Sequence, residues 1–353
     1  MNFEFRQRKI KPSIIALSIC IGLVLGTVFV LLGGYNVLEV YSYLIRGSLG
    51  SVSALSSTIR WTTAFLLCGI ASGIAFKGGM FNMGTEGQLY MGAISATLVG
   101  IYCKGLPAIA HIPLCMLAGM VAGAIWASIP ALLRVYWNTS EIVVTLMMNY
   151  IATQLVAFFT IVWEVPKGSG KIGIINQDSK LGWLPQIFGS KYLLSIIVAV
   201  IITIFMYIYL KYSKQGYEIT VVGESENTAK YVGIKVGKVI IRTMVLSGAI
   251  CGLVGLLLVG GINHTVTTTI AGGQGFTAVL VSWMSKFNPL TMVFSSFLII
   301  FMDRGASEIS TNFGLNHSYA DILTGIILFF IIGCEFFITY KLQFRKKTEK
   351  EAE

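Results

Sequence analysis

The sequence predicts an all-α integral membrane protein with about ten transmembrane helices, some of them discontinuous. Of the 353 residues, 55% are hydrophobic and only 12% are charged, and the mean hydropathy is +0.77, which is too apolar for a soluble domain of this size. Apolar runs of about 20 residues, the length that crosses a bilayer as a helix, recur between short polar connectors. These runs are continuous and lack the alternation of barrel strands.

Each apolar run is interpreted as one crossing, which places both termini in the cytoplasm. The first run follows basic residues, as a signal peptide does, but its length and the absence of an A-x-A site favour a retained span. The piece at 276–286 is short enough to be re-entrant. The expected crossings lie near residues 14–34, 59–76, 89–103, 113–133, 141–163, 191–211, 239–262, 276–286, 289–303 and 320–340.

The net charge of +10 is concentrated in a few segments. Lys and Arg cluster in 1–13, in the connector 212–238 and in 341–353, which the positive-inside rule assigns to the cytoplasm. The connector is expected to contain a short helical element around Ser225 to Tyr231. This placement of the basic residues is typical of the cytoplasmic segments of a membrane protein, so nucleic-acid binding is not expected. The connector 164–190, rich in Gly and Pro, is expected outside, and residues 14–340 form the transmembrane domain.

A glycine-rich stretch at 77–88 interrupts the apolar runs with Asn82, Glu86 and Gln88. Thr85 and Gln88 have the spacing of a capping box, which predicts that a helix restarts there. A helix start directs free amides and the positive end of the helix dipole at its surroundings, an arrangement that suits a polar solute. The stretch is either such an unwound section within the membrane or a plain cytoplasmic turn.

A polar stripe is predicted on the helix that follows Ser140. Glu141, Thr145 and Asn149 recur every four residues and so share one helical face. Asn149 lies about 12 Å further along the helix than Glu141. Polar side chains at that depth line a path or join two helices, and we favour a path.

The chain is expected not to be an enzyme. It has no G-x-x-x-x-G-K-[ST], no G-x-S-x-G and no H-E-x-x-H motif, so it is not expected to hydrolyse ATP by itself. The six cysteines have no metal-ligand spacing, and no metal site is expected. A secondary transporter driven by an ion gradient is the alternative from another class, with Glu86, Glu141 and Asp303 as candidate coupling carboxylates. The histidines are expected in exposed outer loops: His111, His264 and His317.

Three stretches carry a resemblance to a known family. FNMGTEGQLYMGAISA (81–96), SEIVVTLMMNYIA (140–152) and GYEITVVGESENTAKYVGIKVGKVIIRTMVLSGAICGLVG (216–255) resemble permease subunits of bacterial ABC importers of the branched-chain amino acid and monosaccharide superfamily. The F-N-x-G-x-E-G-Q form is similar to that of nucleoside permeases that work with a basic-membrane-protein type lipoprotein receptor. The likeness extends from about Arg60 to the last span.

The resemblance implies a multi-pass permease of the bacterial plasma membrane that works with three partners. These are a second, homologous permease, a cytoplasmic ATPase subunit that carries ATP and Mg²⁺, and an extracytoplasmic solute-binding lipoprotein; this chain itself would hold no cofactor. The small molecule carried would be a nucleoside, with a simple sugar or riboflavin as alternatives. The resemblance implies that 212–238 couples to the ATPase through Gly216, Gly223, Glu224, Ala229 and Gly233, and that the translocation path is bordered by Asn82, Glu86, Gln88, Glu141, Thr145 and Asn149.

A second glycine-rich stretch, GGQGF at Gly272 to Phe276, weakly echoes the first, as corresponding breaks do in repeat-built transporters. The sequence after it departs from the family pattern. Relatives usually continue with small residues, whereas this chain has Trp283 and Lys286. This departure lies within 276–289 and bears on the residue roles there and on the solute.

Overall fold

The computed structural model is helical over most of the chain that it describes, which confirms the all-α part of the predicted fold class. It describes residues 3–7, 24, 26–28, 30–103, 107–168, 172–177, 180, 182–185, 192–314, 318, 322, 324–326, 329 and 340–344. In chain order the elements are β1 (Phe3–Gln7), α1 (Val37–Leu49), α2 (Val52–Lys77), α3 (Thr85–Tyr102), α4 (Ala108–Trp137), α5 (Glu141–Val162), α6 (Leu193–Tyr212), α7 (Lys214–Glu224), α8 (Glu226–Tyr231), α9 (Val236–Leu258), a π-helical turn (Val259–Asn263), α10 (Gln274–Met284), α11 (Pro289–Phe313) and β2 (Tyr340–Phe344).

Six of the described helices are long and apolar enough to cross a bilayer, namely α2, α4, α5, α6, α9 with its π-helical extension, and α11. A seventh is added if the short helix Gly26–Leu32 and α1, which meet at a bend of 119°, form one broken span. The predicted ten crossings are therefore not confirmed. The crossings predicted near 14–34 and 320–340 lie largely outside the described residues.

Two predicted crossings correspond to shorter helices. α10 has 11 residues, about 16 Å of helix, whereas the hydrocarbon core of a bilayer is about 30 Å thick. It is too short to span, which agrees with the re-entrant interpretation of 276–286. α3 begins with polar residues, among them Glu86 and Gln88, and does not reach the hydropathy of the six long helices.

α1 was not predicted, because its sequence mixes apolar residues with Glu39 and Arg46 and resembles no membrane span. Its start nevertheless has a recognisable signal. The Asn36 side chain accepts a hydrogen bond from the amide of Leu38 (3.1 Å), and an acidic residue follows in the first turn.

The chain forms two compact units, residues 1–58 with 298–353 and residues 59–297. In the first, Leu44 of α1 packs with Met302 and Ile309 of α11 in a buried apolar cluster. The Ser48 hydroxyl donates to the Phe301 carbonyl (2.5 Å) and so fixes the two helices against each other. The strands β1 and β2 pair antiparallel, from Phe3 opposite Phe344 to Gln7 opposite Tyr340, a ribbon that the sequence did not predict.

In the second unit, α9 packs against α3 and α4 through glycines. A Cβ atom at Gly252 would collide with the carbonyl of Gly119, and one at Gly123 would collide with the carbonyl of Gly248. The three backbones therefore approach more closely than any side chain would allow. Close packing of small residues is a main source of helix association within lipid.

Candidate functional site

The interruption after α2 is a true stop and restart of the helix. α2 ends in a left-handed turn at Gly79, whose φ is +76°. The Met80 amide donates to the Ala75 carbonyl (3.0 Å), which closes the turn as a Schellman motif does. The chain is then irregular until α3 begins at Thr85. The predicted break at 77–88 is thus confirmed.

The predicted capping box at the start of α3 is wrong. Gly84, not Thr85, is the N-cap residue, and it offers no side chain. The Thr85 hydroxyl donates instead to the carbonyl of Gly275 (2.9 Å), at the start of α10. The side chain of Gln88 turns towards Asn82, whose own Oδ1 accepts the Gly84 amide (3.0 Å).

Asn82 lies at the centre of a buried polar cluster. Its Nδ2 donates to Ser247 Oγ of α9 (3.0 Å) and to Gln88 Oε1 of α3 (3.3 Å), and its Oδ1 accepts from Gln88 Nε2 (3.1 Å). Ser247 in turn donates to the Ala71 carbonyl of α2 (2.7 Å). The three side chains are at most 1% exposed. Because buried polar groups are costly unless paired, this cluster holds α2, α3 and α9 in one arrangement.

The stripe on α5 is buried along its length. Glu141, Thr145 and Asn149 are 8%, 1% and 4% exposed. The Asn149 side chain forms two hydrogen bonds with the start of α3, since its Oδ1 accepts the Gly87 amide (2.8 Å) and its Nδ2 donates to the Met83 carbonyl (2.8 Å). The shared face is confirmed. Of the two roles left open, the contacts of Asn149 are those of a helix junction, and its place on a path stays a prediction.

An ionic network lies where α4 turns into α5. Arg134, in the last turn of α4, lies 3.6 Å from Glu141 and 3.5 Å from Glu226 of α8, and it donates to Asn138 Oδ1 (2.8 Å). One guanidinium thus joins the first residue of the stripe to the connector that follows α6. Arg134 was not singled out from the sequence, because only the fold brings its acidic partners together.

The two glycine-rich stretches are packed against each other. A Cβ atom at Gly275 would lie 2.6 Å from the amide nitrogen of Glu86, so α3 and α10 begin in backbone contact. The Tyr90 hydroxyl lies 3.5 Å from Glu86 Oε1 and donates to the Thr268 carbonyl (2.5 Å). Glu86 Oε2 is buried and has no hydrogen-bond partner in the described part of the chain. The echo between 77–88 and 272–276 therefore corresponds to a direct contact.

The connector 212–238 folds as two short helices, α7 and α8, where the sequence predicted only the second. Ser213 and Ser225 cap their starts by accepting from the amides of Gly216 (2.9 Å) and Thr228 (3.2 Å). Gly223, near the end of α7, meets the turn after α2. A Cβ atom there would collide with the Lys77 carbonyl.

The other residues implied for this connector differ in their surroundings. Ala229 is fully buried, and a Cβ atom at Gly216 would collide with the carbonyl of Tyr209. Gly233 has φ +82° and open space around it, so its conformation and not its packing requires glycine. Glu224 is exposed.

The histidines were predicted to lie exposed in outer loops. That prediction is wrong for His111, and His264 is less exposed than predicted. His111 belongs to α4, is fully buried and lies 3.7 Å from Cys115 Sγ. His264 is only half-buried and stacks on Trp183, with ring centroids 3.8 Å apart. His317 lies outside the described residues.

The chain matches the family model described as branched-chain amino acid transport system permease component over residues 54–332. Several curated proteins are similar over nearly their whole length. A guanosine ABC transporter permease protein of Bacillus subtilis is 32% identical over 89% of this chain and 91% of its own, and a nucleoside ABC transporter permease protein of Lactococcus lactis is 29% identical over 92% and 91%. A glucose ABC transporter permease protein of Haloferax volcanii is 27% identical over 97% and 94%. No solved structure matches the chain.

Proposed function

We propose a function for this chain on one premise: it belongs to the branched-chain amino acid transport system permease component family. We infer that it is the membrane-spanning permease subunit of an ATP-binding-cassette importer for nucleosides. The names of the guanosine and nucleoside relatives support the solute, and so does the F-N-x-G-x-E-G-Q stretch at 81–88.

The observation that carries this proposal is the double contact of the connector 212–238. Through Gly223 it touches the turn after α2 that leads to Asn82, and through Glu226 and Arg134 it reaches Glu141. A push on this connector would therefore act on both polar motifs at once. A subunit without an ATPase motif needs such a route, because its work must come from a partner.

The partners in this proposal are a cytoplasmic ATPase that binds ATP and Mg²⁺, a second permease, and an extracytoplasmic solute-binding lipoprotein. The chain would lie in the bacterial plasma membrane with both termini in the cytoplasm. The exposed surface of the connector, with Tyr217, Glu224 and Tyr231, would face the ATPase. Closure of the ATPase would shift the connector and switch the access of the solute cavity from one side to the other.

The polar residues 82–88 and 141–149 would border the path in this cycle. In the described arrangement Asn82 and Gln88 are hydrogen-bonded to each other, and Asn149 is hydrogen-bonded to the Gly87 amide. All three side chains are buried. Such a cluster can exchange a protein partner for a solute hydroxyl or amide with little net change in hydrogen bonding. It would therefore bind weakly and release readily, as a carrier must.

A sugar is the second candidate solute. The glucose relative is similar over almost all of this chain, and the chain departs from the family pattern at Trp283 and Lys286. Both solute classes present hydroxyl groups, so the polar cluster alone does not separate them.

Reconstituted uptake tests the proposal. Proteoliposomes would hold this chain with its ATPase and second permease partners, together with the solute-binding protein, and would be given radiolabelled guanosine. We expect uptake that needs ATP and that other nucleosides inhibit at least about tenfold better than glucose, a difference of about 1.4 kcal/mol. Stronger competition by glucose would favour the sugar reading. Uptake under an ion gradient without the ATPase would contradict the proposal.

A further inference from the structure

An apolar groove of about 470 Å³ runs between α2, α6 and α11. Its walls include Ile59 and Leu66 of α2, Ile196 and Val200 of α6, and Val293 and Phe294 of α11. Phe294 is 79% exposed and Val200 is 50% exposed. The three helices are all candidate membrane spans, so the groove opens towards lipid.

Arg60 lies at one end of this groove. It is adjacent in sequence to Ile59, and its guanidinium covers the ring of Tyr192 at 4.9 Å, one helical turn before Ile196. Its NH1 group donates to the Tyr192 hydroxyl (3.2 Å). These contacts hold the guanidinium at the start of α6.

The charge of Arg60 is not neutralised by the described protein. None of the described carboxylates forms an ion pair with it, and its buried Nε has no hydrogen-bond partner in the described part of the chain. A buried charged donor without an acceptor is costly, especially in a membrane helix. An acceptor with negative charge is therefore expected beside it.

The depth of Arg60 indicates what that acceptor is. Arg60 precedes Lys77, the last residue of α2, by 17 positions, which corresponds to about 25 Å of helix. The hydrocarbon core is about 30 Å thick, so Arg60 lies near the headgroup level at the face opposite the connector 212–238. Phosphate groups of lipids occur at that level, and the apolar groove extends from it into the membrane.

We propose that this groove binds one anionic phospholipid, with an acyl chain along the apolar walls and the phosphate on Arg60. A guanidinium binds a phosphate through charge-assisted hydrogen bonds, and Arg60 is partly exposed. On the proposed topology the lipid belongs to the outer leaflet. The inference needs only that the chain spans a membrane and does not depend on the solute.

Native mass spectrometry of the purified full chain tests this binding. Phosphatidylglycerol and phosphatidylcholine with identical acyl chains would be titrated separately. We expect the wild-type chain to bind one phosphatidylglycerol at least about tenfold more tightly than phosphatidylcholine, because only the first is anionic, and Arg60→Gln to lose this preference. Lys167→Gln removes an exposed charge from the loop after α5 and should keep it.

A second variant tests the contribution of the groove to lipid binding independently of the charge of Arg60. Val200→Trp fills the groove while Arg60 stays, and it should weaken binding of both lipids; circular dichroism would confirm that each variant is folded. Glycerol phosphate, which carries the headgroup charge without acyl chains, should not displace the lipid. Equal phosphatidylglycerol binding by wild type and Arg60→Gln would overturn the proposal. The proposal would also be overturned if glycerol phosphate displaced the lipid while Val200→Trp bound lipid as tightly as the wild type. A second copy of the chain occupying the groove in place of lipid would overturn it as well.

Discussion

Asn149 illustrates how one side chain can hold two elements together at membrane depth. One of its polar atoms binds the Gly87 amide of α3, and the other binds the carbonyl of Met83, which lies just before that helix. No other residue type of similar size offers a donor and an acceptor in this arrangement. The junction therefore depends on an amide side chain.

We expect Asn149→Leu to lower the free energy of unfolding by about 2–5 kcal/mol, since it leaves two buried backbone groups without partners. Thermal unfolding of the purified chain in detergent would measure the loss. Thr153→Val, one turn further along α5, removes a hydroxyl that binds only its own helix and should cost less than about 1 kcal/mol. Equal losses for the two variants would show that the Asn149 hydrogen bonds are dispensable.

The glycines between α4 and α9 provide a second prediction at this scale. Gly252→Ala places a methyl group against the Gly119 carbonyl, and we expect a loss of about 1–3 kcal/mol from overpacking. Gly100→Ala on α3 meets nothing within 4 Å and should be neutral or stabilising by up to about 1 kcal/mol. The same unfolding assay compares them, and similar values for both would argue against close packing at Gly252.

At the scale of elements, the ion pairs of Arg134 connect α8 to α4 and α5. Backbone contact at Gly223 connects α7 to the turn after α2. The two connections differ in kind. The Arg134–Glu226 pair is partly exposed, so it contributes only about 0–1 kcal/mol and is screened by salt, whereas a backbone contact is rigid. The ionic connection should therefore affect coupling more than stability.

We expect Glu226→Gln to reduce ATP-driven uptake several-fold while changing the unfolding free energy by at most about 1 kcal/mol, because this carboxylate is exposed. The double change Arg134→Glu with Glu226→Arg restores the pair with α8 but opposes Glu141, and it should recover only part of the uptake. Lys167→Gln, which removes an exposed charge from the loop after α5, is the control and should leave uptake unchanged. Loss of stability equal to the loss of uptake would contradict a coupling role.

Gly223 and Gly233 should respond differently to substitution. Gly223→Val forces α7 away from the Lys77 carbonyl, and we expect uptake to be lost while the ATPase still hydrolyses ATP. Gly233→Asn should be tolerated, because asparagine accepts the left-handed conformation that this open position requires. Measuring hydrolysis and uptake together checks both expectations. Normal uptake by Gly223→Val would remove this contact from the route.

Local sequence patterns predicted the helices and the helix break better than they predicted which side chains contact each other across the fold. The helix break, the face shared by Glu141 and Asn149, and α8 all follow from glycine placement, four-residue spacing and a serine cap. The bond between Asn82 and Ser247 joins positions 165 residues apart, and no local pattern encodes it. Thr85 shows the same limit, since its spacing fits a cap but the fold directs its hydroxyl to α10.

At the scale of the molecule, one crossing sets the orientation of the connectors. α6 separates the loop after α5 from the connector 212–238, so Lys167 and Lys230 should lie on opposite sides of the membrane. In a chain with its own cysteines replaced, a cysteine at Lys230 should react with an impermeant thiol reagent only from the cytoplasmic side. A cysteine at Lys167 should react only from outside. Labelling of both from one side would refute the proposed topology.

The span count was the least predictable property of the whole molecule. Length and hydropathy identify α2, α4, α5, α6, α9 and α11 as crossings, but they cannot classify α3 and α10, whose starts carry polar residues and meet inside the fold. Hydropathy measures transfer into lipid, whereas α3 is largely enclosed by other helices and α10 is buried on one face.

The glycine contacts among α3, α4 and α9 also constrain how the protein can change shape. Side chains can exchange rotamers and let two helices slide, but a crossing made of peptide groups offers no such freedom. These three helices should therefore travel as a single rigid block. Any opening towards one side of the membrane would then displace other helices around the block, and α2 could take part only if the hydrogen bond between Asn82 and Ser247 broke.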